Sequence, residues 1–272
     1  FPYTTLFRSY VSARAIDLGE GSVLLIIDDK TEAQRLDETR RDFVANISHE
    51  LKTPVGAIGL LAEAIEANPK DAAMVGKLSA NVVKESKRLS ALVKDIIQLS
   101  RIQAADSAMN SELIELEPVV RDAIDRNAFK AERRKVAIDY QGEKGVRVFG
   151  DEEMLAVAFK NIIENAIVYS AEGSKVGVAL SKDGGVAEVI ISDSGVGISK
   201  EDQKRIFERF YRVDQSRSRA TGGTGLGLSL VKNITQKHLG EVQVKSKVGA
   251  GSTFTIRIPL ATAPIDATGS KK

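Results

Sequence analysis

RDFVANISHELKTPVGAIGLLAEAI, residues 41–65, carries apolar side chains at Phe43, Ile47, Leu51, Val55, Ile58, Leu61 and Ile65. Spacings of mostly three and four put them on one stripe of a helix. Leu36 extends the stripe upstream, so a helix is expected from Thr31, interrupted by Pro54 and broken at Asn68-Pro69. With Ile47 at zero on a helical wheel, Phe43, Leu51 and Ile58 fall within about 40° of it, and His49 falls at about 200°, on the solvent side. A second segment repeats the period through Met74, Leu78, Val82, Leu89, Val93, Ile96 and Leu99. Two long helices joined by a short turn make a hairpin whose stripes are wide for a hairpin alone. Two hairpins pairing into a four-helix bundle would cover both stripes, so a homodimer is expected.

Downstream, AADSAMNSE (104–112) is small and polar, a linker composition. Beyond it, strand and helix patterns alternate. Strands are expected at 113–117, 135–140, 146–149, 174–181, 186–193, 241–246 and 252–258, and helices at 118–131, 151–168 and 225–238. Such a segment is an α/β domain with helices layered on a mixed sheet. Residues 198–224 show little periodicity, and a loop that long in a compact domain is usually a functional lid. Upstream, Gly19-Glu20-Gly21 signals a turn, and SVLLIID (22–28) is a buried-strand run.

Composition bounds the function. The 272 residues are 43% hydrophobic and 28% charged, with a net charge of +2. That excludes a disordered chain and gives no electrostatic sign of a nucleic-acid partner. No cysteine is present, so disulfides, zinc–thiolate sites and thiol catalysis are excluded. No run reaches the roughly 18 apolar residues of a membrane span. Phe1–Ser9, FPYTTLFRS, reads as the translation of a common sequencing-adapter end, which implies that the true N-terminal part is missing.

Four stretches carry chemistry. An exposed imidazole such as His49, with Glu50 beside it to hold the other ring N–H, is a nucleophile at neutral pH. Thr53 lies one turn on, on the same face. In KNIIENAIVYS (160–170), Asn161 and Asn165 are four apart on one helix face, and their carbonyl oxygens suit a hydrated Mg²⁺. In ISDSGVGI (191–198), a strand runs into Asp193, whose carboxylate suits an exocyclic amine such as adenine's. Gly195 and Gly197 let the backbone approach a flat ring. In TGGTGLGLSLVK (221–232), Gly222, Gly223, Gly225 and Gly227 precede or open a helix, offering free N–H groups to phosphate. It is neither a Walker A loop, because no GK[ST] follows, nor a Rossmann fingerprint.

In this order the stretches resemble the sensor histidine kinases of two-component systems. HELKTP (49–54) resembles the H box, NIIENA (161–166) the N box, DSGVGI (193–198) the G1 box, IFERFYRVD (206–214) the F box and GGTGLGL (222–228) the G2 box. The likeness covers about residues 31–260, and residues 41–65 and 217–228 look closest to the actinobacterial, phosphate-regulon (PhoR-like) type. Residues 10–30 resemble the last strands of a PAS sensor domain.

The resemblance implies an α+β fold: a helical hairpin forming a dimeric four-helix bundle, then an α/β-sandwich ATP-binding domain of the GHKL (Bergerat) type. The implied boundaries are 1–9 adapter artefact, 10–30 PAS-like remnant, 31–105 dimerisation and phosphotransfer hairpin, 106–112 linker, 113–260 catalytic domain and 261–272 tail. His49 would take the γ-phosphoryl of ATP and pass it to an aspartate of a response regulator, expected to be of the OmpR/PhoB type. Glu50 would be its acid/base partner, and Thr53 would position water when the regulator is dephosphorylated. Asn165 would ligate Mg²⁺ with support from Asn161. Asp193 would hold the adenine amine in a pocket shaped by Gly195 and Gly197, with Tyr169 against the base. Arg212 in the lid would contact phosphate, Gly223, Gly225 and Gly227 would line the triphosphate side, and Phe207 and Phe210 would anchor the lid.

Related ATPases have a water-activating Glu at the place of Asn161, which an amide cannot replace. Glu164 points about 100° away from Asn165 and is no substitute. Val168 departs from the family, which often has Lys there, and His238 is read as a structural helix end. Full-length relatives usually carry membrane spans upstream, so the parent is expected to be anchored in the bacterial membrane with this portion in the cytoplasm.

Overall fold

The computed structural model describes residues 10–19, 22–104, 111–213 and 223–261. The adapter-like Phe1–Ser9, most of the linker, the lid segment 214–222 and the tail beyond residue 261 lie outside them. The chain divides into two compact units, Phe1–Ser86 and Lys87–Lys272.

The first unit opens with an antiparallel pair, β1 (Val11–Gly19) and β2 (Ser22–Asp29), with Val11 opposite Asp29. The strand expected at 22–28 is there, but it is not buried: every residue of β2 is exposed. A two-stranded ribbon has no second layer to cover either face. Asp29 Oδ1 accepts from Thr31 N–H (2.8 Å), serving the free donors at the start of α1 (Thr31–Ala67).

α1 corrects one expectation: Pro54 does not interrupt it. The missing proline N–H costs one helical hydrogen bond, and the helix tolerates that loss. Termination comes at Asn68, as the Asn68-Pro69 signal requires, and α2 (Ala72–Ala104) follows. Among the described side chains of α1, Pro54 alone is buried, and Val55 and Leu60 on α1 and Met74 on α2 are exposed. Most stripe residues of α1, among them Ile47, Ile58 and Ile65, are half-buried, so the single chain covers that stripe only in part, whereas Leu92, Leu99 and Ile102 near the end of α2 are buried.

The second unit, which includes the end of α2 from Lys87, is a sheet with helices on one face. Its elements are β3 (Glu112–Glu115), α3 (Leu116–Arg133), β4 (Ala137–Gly142), β5 (Arg147–Gly150), α4 (Glu152–Tyr169), β6 (Lys175–Asp183), β7 (Val186–Asp193), α5 (Lys200–Gln203), α6 (Gly227–Lys237), β8 (Glu241–Lys247) and β9 (Gly251–Pro259). Five strands form one sheet in the order β4-β6-β7-β9-β8, parallel only between β4 and β6, and β3 pairs with β5. The mixed sheet and the layered helices match the expectation. β6 and β9 alternate, burying Val176, Val178, Leu180, Phe254, Ile256 and Ile258. α4 is the central helix, with Leu155, Phe159, Ile162, Ile163 and Ile167 fully buried. Each such side chain stabilises the fold by about 1.5–3 kcal/mol. Because α4 also bears both Asn residues, the core fixes where those amides stand. No helix among the described residues is long and apolar enough to cross a membrane.

Candidate active site

The placement of α4 begins at the residue just before it. Asp151 caps the helix, its carboxylate accepting from Met154 N–H (2.9 Å). Its own N–H donates to Nε2 of His238 (3.0 Å), while His238 Nδ1–H donates to the Ile234 carbonyl (2.7 Å). Gly150 makes the approach possible: a Cβ there would stand 2.3 Å from the ring. His238, read from sequence as a helix end, indeed follows α6 and also ties α6 to the start of α4.

This arrangement works only for the neutral ring, since Nε2 accepts. Burial pushes the His238 pKa down, outweighing the opposing hydrogen bonds and Asp151. The unfolded chain therefore binds the proton first as pH falls, and stability drops from about pH 6.5 down to the lowered folded value. The expected slope is at most about 1.4 kcal/mol per pH unit. Urea midpoints measured against pH should show this acid-side loss in the wild type and lose it in His238→Gln; equal profiles would refute it.

On α4, Asn161 donates its Nδ2 to the Val157 carbonyl (2.8 Å), which turns Oδ1 toward α6. A Cβ on Gly227 would come within 2.9 Å of that oxygen. The glycine thus lets the first turn of α6 close onto the Asn-bearing face. Asn165 is half-buried, and its amide makes no hydrogen bond among the described residues. Glu164 is engaged elsewhere, pairing with Lys130 of α3 and with Lys160 at 3.6 Å. Val168 is half-buried and the Tyr169 ring is exposed.

Asp193 ends β7. Its Oδ1 accepts from the N–H groups of Gly195 (2.8 Å) and Ser252 (3.2 Å). Oδ2 takes no bond among the described residues. Burial pushes this carboxyl up, and the two N–H bonds only partly offset it. The next turn is glycine-dependent: at Gly195 a Cβ would fall 2.4 Å from the Tyr169 carbonyl, and at Gly197 (φ 69°) 2.1 Å from the Lys247 carbonyl. So the end of α4, the turn after β7 and the β8–β9 hairpin meet around one carboxylate. Ser246 supports the turn by accepting from Ile198 N–H (2.8 Å), and Gln203 donates to the Ile198 and Ser246 carbonyls.

The lid begins with α5, capped by Ser199, which accepts from Asp202 N–H (3.1 Å). The Tyr211 hydroxyl donates to Asp202 (2.5 Å), and Arg205 lies 4.2 Å over the Tyr211 ring. Phe207 anchors the segment edge-on against Phe254 of β9, centroids 6.5 Å apart. Phe210 backs onto the glycine loop instead, its N–H donating to the Gly225 carbonyl (2.9 Å). Gly225 (φ 75°) has no room for a Cβ, which would fall 2.8 Å from the Phe210 carbonyl carbon. Among the described residues Gly223 is open, with no atom beyond its chain neighbours within 4 Å of a Cβ. Arg212 is half-buried beside the lid segment that lies outside the described residues.

The structure therefore brings Asn161, Asn165, Tyr169, Asp193, Gly195, Gly197, Gly223, Gly225 and Gly227 into one compact unit. His49, Glu50 and Thr53 belong to the other. His49 is exposed, as its wheel position predicts, Glu50 is half-buried, and Thr53 Oγ1 donates to the His49 carbonyl (3.2 Å). Sequence reading missed Ser246, Gly251 and Ser252. Gly251 (φ 98°) packs against the Asp193 carbonyl, where a Cβ would lie 2.0 Å away. The signal was the GAGS run at 249–252, a turn beside a strand.

Residues 39–105 match the family model of the His Kinase A (phospho-acceptor) domain. Residues 150–262 match that of the histidine kinase-, DNA gyrase B- and HSP90-like ATPases. The sensor-like histidine kinase SenX3 of Mycolicibacterium smegmatis is 45% identical over 236 residues, which are 87% of this chain and 62% of that protein. Among solved structures, the Acinetobacter baumannii histidine kinase AdeS is similar with a TM-score of 0.62 at 25% identity, covering 79% of this chain and 98% of that one. Full-length ShkA in complex with AMPPNP gives a TM-score of 0.58 at 26% identity, covering 82% and 46%. The chain thus carries a phospho-acceptor hairpin of the His Kinase A family followed by an ATPase domain of the histidine kinase-, DNA gyrase B- and HSP90-like family, and it spans about three fifths of the length of the curated sensor histidine kinases it matches.

Proposed function

We propose that the chain autophosphorylates His49 from ATP and passes the phosphoryl group to an aspartate of a response regulator. The carrying observation is Asp193: a half-buried carboxylate with one oxygen saturated by backbone N–H groups and the other open, enclosed by glycine turns. That oxygen accepts from the adenine amine, the Tyr169 ring packs on the base, and Gly223, Gly225 and Gly227 face the phosphates with Arg212 from the lid. Asn165, unpaired among the described residues and supported by Asn161, would hold Mg²⁺, which when bound neutralises phosphate charge. With Asn161 an amide and Glu164 ion-paired to lysines, no carboxylate on this face of α4 activates water against the γ-phosphate. The phosphoryl group is thereby kept for another nucleophile. A neutral His49 ring nitrogen is that nucleophile: it bonds to the γ-phosphorus as the bond to the β–γ bridging oxygen breaks and ADP leaves, and Glu50 accepts the proton from the other ring nitrogen. Positioning and charge stabilisation carry the step.

The partly covered stripes of α1 and the first half of α2 support a homodimeric four-helix bundle. Thr53, one turn from His49, would orient water for dephosphorylation of the regulator. The parent protein is proposed to be membrane-anchored with this portion in the cytoplasm and a regulator of the OmpR/PhoB type. Incubation with Mg²⁺ and γ-labelled ATP should leave acid-labile, alkali-stable label on the chain. A chain that binds ATP and takes no label would overturn the reading.

A further inference from the structure

Asp95 on α2 and Thr224 in the glycine loop are 129 positions apart, yet Thr224 Oγ1 donates to Asp95 Oδ2 at 2.6 Å. The same hydroxyl oxygen accepts from Leu226 N–H (3.2 Å), so a loop amide, the threonine and the carboxylate form one chain of hydrogen bonds. α6 starts directly after Leu226 and has no side-chain cap of its own. The end of α2 thus delivers an anion, through Thr224, to the positive end of this helix, where negative charge is favoured. On α4, Lys160 attracts the carboxylate and Glu164 repels it. Its largest perturbation is the cost of losing water, so the carboxylate regains hydration when released.

We propose that Asp95 is an internal stand-in for nucleotide phosphate: its clasp on Thr224 holds the glycine loop on α2, and MgATP binding opens it. A carboxylate and a polyphosphate repel each other at one loop, so both cannot be held there at full strength. The clasp makes ATP affinity report on whether the loop is docked on α2, a coupling of opposite sign between two parts of one unit. This rests on the nucleotide reading of the Asp193 site.

The test is a cycle on the full chain with Asp95→Ala, Thr224→Val and the double variant, reading MgATP affinity and ligand-free amide exchange over residues 225–227. Asp95→Ala is expected to tighten MgATP binding about tenfold, the size of one charge-assisted hydrogen bond lost from the unliganded state. Asp95→Asn should shift it the same way by less. In the Thr224→Val background, Asp95→Ala should change affinity less than about twofold, because the clasp is already gone. Amides 225–227 should exchange faster in Asp95→Ala without nucleotide. An equal effect of Asp95→Ala in both backgrounds would reduce Asp95 to a general charge effect and overturn the clasp. Unchanged or weaker binding, or unchanged amide protection, would overturn it as well. A wild type that binds no MgATP would remove the nucleotide site and this inference together, whereas binding with a null cycle removes only the clasp.

Discussion

Replacing His49 with Gln is expected to abolish the acid-labile label while leaving MgATP affinity and urea midpoint unchanged. Gln is a good helix former and keeps a polar, hydrogen-bonding side chain on an exposed face of α1, so the stability change should stay within about 0.5 kcal/mol. What the substitution removes is a ring nitrogen with a lone pair; the amide nitrogen has none available, because it is delocalised into the carbonyl. The loss should therefore be to background rather than a partial slowing. Nucleotide binding should survive because Asp193, Asn165 and the glycine turns belong to the other compact unit. Label that persists in the variant would place the phosphoryl group on a different residue and sink the His49 assignment.

The contrast between what was legible and what was not follows from the range of the interactions. Element positions came from local periodicity. β7 falls at 186–193 as expected, and α3, α4 and α6 fall within two residues of their expected bounds. His49 was placed correctly on the solvent side because a helical wheel needs only neighbours along the chain. Pro54 misled, since a proline inside a long helix removes one hydrogen bond without ending the helix. α5 was read as part of a loop, although Ser199 followed by Asp202 is a capping pattern that could have been used. Asp95–Thr224, Ser252–Asp193 and His238–Asp151 join residues 129, 59 and 87 positions apart, and no local pattern encodes such pairs. The motif order picked out the candidate residues; only the fold told what holds them in place. The buried run expected at 22–28 shows the converse error, because apolar composition reports what a strand would bury and not whether a covering layer is there.

Replacing Asp193 with Asn is expected to weaken ATP binding about hundredfold and to erase discrimination between ATP and GTP. The side chain has two jobs: Oδ1 receives the Gly195 and Ser252 N–H groups, and Oδ2 is left to accept from a base amine. An asparagine can do one of them. With its carbonyl on the two N–H groups, its NH₂ faces the adenine amine, donor against donor. With the amide turned round, its NH₂ faces two backbone donors and the turn after β7 is strained. The first orientation is favoured, because it sacrifices one bond instead of two. It then presents a donor where guanine carries its O6 acceptor, so GTP, repelled by the wild-type carboxylate, is accepted by the variant. Competition titrations with ATP and GTP read both effects. They also fix a pH sign: burial holds the Asp193 carboxyl above its ordinary value, and its protonation removes the acceptor. Wild-type ATP affinity should therefore fall as pH drops through that raised value, and the fall should be absent in Asp193→Asn. Wild-type affinity for ATP in the variant would mean that the open oxygen of Asp193 does not read the base. The glycine turns around it would then have to owe their tight packing to the fold alone.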